Sequence, residues 1–445
     1  MDTFLPDSTL QPLVARLRTA QEQLARHYPG EPASRQPVHT VYVGAHSFDA
    51  GLPRRLGAEA LHSLAEFAPD AAAFAGVLGI APALAGTVHA RVVAKLRREA
   101  VEDLRIDFED GYGNRGDAEE DGHAVQAAEE LARAQAGGTL PPFSGIRIKS
   151  LSGDLGARSL RTLSLFAGTL ARATGGRLPP GFVVTLPKVT SPEQVSVLID
   201  AFEALEPRLA LAAGTLKMEP MVEVTQTVLA PDGRAMLPAL LAAARGRCVA
   251  AHFGTYDYTA SCNVTALHQH MRHPACDFAK HMIQVAYAGT GIWLSDGATS
   301  LVPAGPHHGT QLTQAERQEN LAAVHAAWRL QAGDIRHSLE TGFYQGWDMH
   351  PAQIPVRYGA VYAFFLEGLP AASERLRNFV TRTSQATVEG EVFDDAATGQ
   401  ALLNFFLRGL NCGALTEEEA LATGLTAGEL RGRSFAAILA GRRRS

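Results

Sequence analysis

Glu223 and Asp257 are carboxylates that each close a short β-rich run, LKMEPMVE and CVAAHFGTYD. Two hard oxygen donors with room for waters and a chelating substrate suit Mg²⁺, which rarely takes a full protein cage; Mn²⁺ is the alternative. Arg147 lies near the end of another run, FSGIRIKS, together with Lys149. A guanidinium there can bind a carboxylate bidentately or stabilise an enolate oxygen. Lys188 closes GFVVTLPKV, and Glu109 with Asp110 closes LRIDFEDG, while His46, Asp296, Asp348 and His350 stand at the ends of three more runs. Charges gathered at the ends of β-runs, rather than scattered over helix faces, point to a catalytic mouth. The bland alternative is that these acids cap helices or pair with Lys188 and Arg147.

Two patterns suggest other chemistry and are set aside. Gly111-Tyr112-Gly113-Asn114-Arg115-Gly116 matches the G-x-G-x-x-G dinucleotide turn. However, Asp107, Glu109, Asp110, Asp117, Glu119, Glu120 and Asp121 surround it, and that much acid repels a pyrophosphate. The glycines then serve as a tight strand exit that aims Glu109 and Asp110 inward, to hold water, bind Arg147 or support a metal. His268, His270, His273, Cys276 and His281 have a zinc-like composition but no structural-zinc spacing. They read as a loop near the mouth that could meet an anionic substrate.

Eight β-rich runs (38–46, 104–111, 143–150, 181–189, 216–223, 248–257, 291–299 and 342–350) alternate with Ala/Leu/Glu/Arg-rich segments of helical spacing. Ser191-Pro192-Glu193 opens one such segment as an N-cap with Pro at the first helical position. Eight βα units in series predict an α/β fold, a (β/α)8 TIM barrel whose active site forms at the carboxyl ends of its strands. The division predicted is an N-terminal helical segment over 1–37, a barrel over 38–358 and a C-terminal helical extension over 359–445.

The chain has 445 residues and a net charge of −6, which argues against general nucleic-acid binding. Four cysteines without C-x-x-C pairing predict reduced, structural thiols in a cytoplasmic protein. MDTFLPDSTL has neither the basic start nor the apolar core of a signal peptide. The run 71–88 is broken by Pro82 and predicts a packed helix and turn, not a membrane span.

The strand-end residues resemble those of a known family. DFEDG resembles the D-L-E-D segment of the HpcH/HpaI aldolase and citrate lyase β-subunit family, and GIRIKS falls where that family has R-V-N. TLPKV is similar to its L-P-K-V segment, MVEVTQT to I-E-T, FGTYDYTAS to F-G-x-x-D-[LY] and DMHPAQI to I-H-P-x-Q-I. These motifs keep the family's order over about 250 residues. The resemblance, to malyl-CoA lyase-like members in particular, implies a phosphoenolpyruvate/pyruvate-type barrel and a Mg²⁺-dependent carbon–carbon lyase or Claisen-type condensing enzyme. Its small-molecule substrate would be a 2-oxo or 2-hydroxy acid or its CoA thioester, and its assembly a homo-oligomer, trimer or hexamer.

The same resemblance implies Glu223 and Asp257 as metal ligands, and Arg147, Glu223, Glu109 and Lys188 as the substrate-binding set. Arg147, Asp110 and Asp394 are the catalytic candidates. Asp394 or Asp395 corresponds to the aspartate that a C-terminal segment brings over the mouth, although an N-cap reading serves equally well. Arg54, Arg55, Arg91 and Lys95 are the basic residues that could meet CoA phosphates. The chain departs from the family in the long segment VLAPDGRAMLPALLAAARGRC between the two metal candidates, and in lacking an Arg-Ser start in its first strand. A CoA-independent 2-oxo-acid aldolase or phosphoenolpyruvate-type lyase, and a non-catalytic barrel acting as a binding or regulatory subunit, are the alternatives.

Overall fold

The computed structural model describes residues 5–32, 34–381, 387–389, 392–394 and 396–442. Eight parallel strands close into a barrel in sequence order: β1 (His39–Gly44), β2 (Asp103–Asp107), β3 (Phe143–Arg147), β4 (Val183–Leu186), β5 (Lys217–Val222), β6 (Ala250–Phe253), β7 (Trp293–Ala298) and β8 (Gln345–Asp348). β1 pairs with both β2 and β8, which closes the ring. The protein is a (β/α)8 TIM barrel; seven strands lie within the β-rich runs, and β2 begins one residue ahead of its run, at Asp103.

The outward strand faces pack on helices through side chains such as Leu104, Ile106, Ile146, Val184 and Phe253, all fully buried. Helix Pro192–Arg208 begins with a capping box between Ser191 and Gln194, satisfying backbone donors that the helix itself leaves free. The apolar run after Asp70 forms helix Ala71–Leu78, which ends at Gly79 in the left-handed region (φ 70°) before a short 3₁₀ turn and helix Ala85–Glu99. Among the described residues no helix is long and apolar enough to cross a membrane, and all four cysteines are free.

Helix Asp7–His27 precedes the barrel and buries none of its side chains. After the barrel comes helix Ile354–Thr381, then a short antiparallel pair, β9 (Thr387–Glu389) and β10 (Val392–Asp394), then helix Ala396–Cys412 and three shorter helices. The sequence pattern beyond 358 predicts helix throughout, and the β9–β10 pair departs from it. The local sequence TVEGEVFD, with β-branched residues on either side of a glycine, is a hairpin signal that outweighs its helical neighbours.

Candidate active site at the carboxyl ends of the strands

β2 reads Asp103-Leu-Arg105-Ile-Asp107, and Glu109 follows in the same alternation. Leu104, Ile106 and Phe108 go outward to the helices, so the charged residues line the barrel interior. Near the middle of the barrel, Arg105 donates to Glu219 of β5 through Nε (2.8 Å) and Nη2 (3.0 Å), and it also pairs with Asp103. His252 of β6 accepts from the Trp347 indole N–H (3.0 Å), and its Nε2 lies 3.0 Å from Glu219. Because the indole can only donate, His252 carries its own proton on Nε2, facing Glu219. Burial raises the Glu219 carboxyl, but Arg105 and His252 outweigh it and hold the group ionised.

One layer higher, Arg147 at the end of β3 is clamped by Asp107 at the end of β2, Nε to Oδ1 at 2.7 Å and Nη2 to Oδ2 at 2.5 Å. Asp107 also accepts the backbone N–H groups of Glu109 (2.9 Å) and Gly111 (2.7 Å). One fully buried carboxylate therefore shapes the turn and orients the guanidinium. The Arg147 guanidinium lies 4.8 Å from the Tyr42 ring centroid, within cation–π range. Its remaining Nη1 faces Glu109 at 3.3 Å and Met221 sulfur at 3.7 Å.

At the mouth, Lys188 follows β4 with a left-handed backbone (φ 50°), costly for a side chain with a Cβ and typical of functional sites. Its ammonium pairs with Glu109, and lies 3.1 Å from Asp110 and 3.8 Å from Asp257. The Lys188 backbone N–H donates to Glu223 Oε1 (2.6 Å). Burial works against the charged amine, but Glu223, Glu109 and Asp257 together hold the Lys188 pKa above its ordinary value. This is the reverse of the depressed amine that an imine-forming lysine needs.

Glu223 follows β5 and is buried. Desolvation is the largest cause lifting its carboxyl to about 8, with Asp257 adding to the rise and Lys188 and Arg147 opposing it. A Cβ on Gly254 would lie 2.5 Å from the Glu223 Cβ and 2.6 Å from its Oε2. Glycine at 254 is thus the condition for Glu223 to point where it does. Asp257 is on the first turn of helix Thr255–Ser261 after β6 and is partly exposed.

The structure thus brings together Arg147, Glu109, Asp110, Lys188, Glu223 and Asp257. Glu223 and Asp257 offer oxygen donors on either side of Lys188, whose ammonium also pairs with Glu109, and Gly254 leaves room for the Glu223 carboxylate. That chemistry fits a hard divalent cation such as Mg²⁺ and not a soft metal. No group of three or more His, Cys, Asp or Glu side chains close enough to hold a metal ion by themselves occurs among the described residues, so a cation here would rely on water or substrate oxygens for its remaining ligands.

Other strand-end residues lie elsewhere. On β8, Gln345 and Trp347 take the inward positions, so Asp348 faces outward and pairs with His39 (2.7 Å) and Arg357 (3.0 Å). Asp296 is bound by Lys280 (3.0 Å) and Ser338 (2.7 Å) from the helices behind β7. His350 accepts the Ala352 N–H, and Lys149 donates to the Phe108 carbonyl beneath the β2 exit loop. Arg55, Arg91 and Lys95 are engaged by Asp49, Glu419 and Glu102. Glu102 directly precedes β2, so Lys95 lies at the amino end of the barrel, far from the mouth. Asp394 ends β10, but its side chain and the whole of Asp395 lie outside the described residues.

The partners that sequence reasoning passed over are Asp107 and the Arg105–Glu219–His252 column. The signal for the first was present: Arg105, Asp107 and Glu109 recur with period two beside apolar Leu104, Ile106 and Phe108. The second had none, because only barrel closure brings Glu219 of β5 and His252 of β6 to Arg105.

A citrate lyase from Burkholderia xenovorans LB400 is similar in structure, with a TM-score of 0.57, 17% identity, and coverage of 88% of this chain and 100% of that one. The malate synthase of Haloferax volcanii aligns at TM-score 0.47 and 13% identity over 91% of this chain and 99% of its own. An HpcH/HpaI aldolase/citrate lyase family protein from Burkholderia cenocepacia J2315 aligns at TM-score 0.37 and 13% identity, covering 77% and 95%. At these identities the likeness is one of fold, and of these three structures the citrate lyase carries it. No curated protein sequence matches the chain. The family model described as a domain of unknown function (DUF6986) matches residues 17–438, a span that takes in the barrel and every residue of the mouth. The chain belongs to the DUF6986 family.

Proposed function

We propose that this protein is a Mg²⁺-dependent carbon–carbon lyase or Claisen/aldol-type condensing enzyme that works through an enolate of a 2-oxo or 2-hydroxy acid or its CoA thioester. The observation that carries the reading is the convergence, at the carboxyl ends of β2 to β6, of one clamped guanidinium with buried, hard-oxygen carboxylates. Likeness of fold to a citrate lyase supports it, as does the order of the strand-end motifs.

Glu223 and Asp257 would hold the cation. When bound, Mg²⁺ supplies Lewis-acid polarisation of a carbonyl or carboxylate oxygen. Arg147 offers Nη1 to the same oxygen as negative charge grows on it, and Asp107 fixes the other two nitrogens so that little reorganisation accompanies that change. Lys188 offsets part of the negative charge at the mouth and is free to exchange a carboxylate of the protein for one of the substrate.

Deuterium exchange into the methyl groups of pyruvate or acetyl-CoA, followed by NMR in D₂O with and without Mg²⁺, tests the reading. Metal-dependent exchange that is lost in Glu223→Gln is the expected result, and the compound that exchanges separates the oxo-acid from the thioester substrate. Absence of exchange with either compound, together with no thermal shift on adding Mg²⁺ and oxalate, would overturn it.

A further inference from the structure

The amino-terminal end of the barrel, opposite the mouth, carries a cleft of about 520 Å³ that the proposed reaction leaves unused. Its walls are helix Leu52–Phe67, the last turn of helix Ala85–Glu99 with Val101, and the loop 138–141. Val101 and Pro141 stand two residues ahead of β2 and β3, which places the cleft a full strand length from Arg147 and Glu109. Its size falls within the ordinary range of small-molecule pockets.

Three arginines line it: Arg54 from the first helix, and Arg97 and Arg98 from the second. Among the described residues, none of the three has a carboxylate partner. The acid in the wall, Glu99, is already paired with Arg35 and Lys95, and these two cations also take up Glu102. Arg35 and Lys95 therefore cancel Glu99 and Glu102, and Arg54, Arg97 and Arg98 remain as uncompensated charge in a protein whose net charge is −6.

Three arginines gathered at one cleft favour an anion, whose charge they would share, even though the carbonyl end of helix Ala85–Glu99 already offsets part of the charge on Arg97 and Arg98. Their planar forks match phosphate or carboxylate oxygens two at a time. Between the arginines the wall is apolar, built from Pro53, Leu61, Leu96 and Leu140, and suits the carbon skeleton of a small molecule better than a bare ion. We propose that this cleft is a second ligand site, for a small molecule carrying two or more phosphate or carboxylate groups. Its position makes it independent of the reaction at the mouth.

Titration calorimetry of the full chain, in chelator-treated buffer at fixed salt, tests the site with inorganic pyrophosphate and citrate as separate probes. One probe or both should bind, which separates phosphate from carboxylate recognition, and added salt should weaken the binding. Arg97→Ala/Arg98→Ala should lower the affinity at least about tenfold, or about 1.4 kcal/mol, with the ligand-free melting temperature unchanged. Arg54→Gln serves as the second variant should the double one fold poorly. Arg147→Lys, which alters the mouth, should leave binding intact, so failure of this site and failure of the proposed reaction are distinguishable. No heat with either probe, equal binding by the arginine variants, or loss of binding in Arg147→Lys alone would each overturn the proposal.

Discussion

At the scale of single residues, Lys188 concentrates the chemistry of the mouth. Its ammonium is the cation that Glu109, Asp110 and Asp257 share, and its backbone N–H donates to Glu223. Lys188→Met leaves those acids facing one another with only Arg147 nearby. Removing one partner of a fully buried pair costs about 3–5 kcal/mol, and partial exposure of this one reduces the loss to roughly 1–2 kcal/mol. The expected outcome is a lower melting temperature without metal, and a larger rise on adding Mg²⁺ than the wild type shows, since the divalent cation then meets no internal competitor. Equal metal-induced shifts in the two proteins would mean that Lys188 and the cation do not compete for the same carboxylates. Arg147→Lys keeps the charge but not the fork, and should slow enolate exchange by roughly 10²-fold, the scale of losing one oriented donor to a developing oxyanion. Exchange at the wild-type rate in that variant would remove Arg147 from the reaction.

At the scale of elements, the site depends on how helices are tied to the strands that carry it. Glu206, near the end of helix Pro192–Arg208, accepts the Gly214 (3.0 Å) and Leu216 (2.8 Å) N–H groups and binds Arg247 through both oxygens (2.6 and 2.9 Å). One carboxylate thus joins that helix to the segments entering β5 and β6, the strands that lead to Glu223 and Asp257. Burial alone raises the carboxyl, but Arg247 and the two N–H donors outweigh it and bring it down to about 2. The folded value lies below the unfolded value of about 4.3. The stabilisation is therefore fully present above about pH 4.3 and is lost as pH falls towards about 2, amounting to roughly 3 kcal/mol at neutral pH. Glu206→Gln should be destabilised by that order at pH 7, and its deficit in denaturant titrations should shrink steadily below pH 4. A deficit independent of pH would assign the effect to packing and not to charge.

At the scale of the whole molecule, helix Asp7–His27 contributes no buried side chain, yet Leu10, Leu13, Leu17 and Leu24 are exposed along it. With Ala20 they follow the alternating three- and four-residue spacing of a coiled-coil seam, which a second copy of the chain would cover in the homo-oligomer proposed from the family resemblance. Leu13→Asp/Leu17→Asp should then reduce the mass measured by light scattering while leaving the barrel's melting temperature unchanged. An unaltered mass would separate this helix from self-association.

The barrel was legible in the sequence because each βα unit is local: a short β-branched run, a turn and an amphipathic helix each declare themselves within about 30 residues, and eight in series favour closure. Arg147, Lys188, Glu109, Glu223 and Asp257 could be singled out because a barrel aims the ends of its strands at one mouth. The error over Asp348 has the same local origin, since a shift of one residue along a strand turns a side chain to the opposite face, and only the pairing of Gln345 and Trp347 inside the barrel shows which face Asp348 occupies. What the tertiary structure alone decided are relations between charges far apart in the chain. Asp107 clamps Arg147 across 40 residues, Arg105 meets Glu219 across 114, and Lys188 draws in Glu109 across 79. Coulombic partnership depends on distance in space, and those distances are set by barrel closure and register, which no run of neighbouring residues encodes.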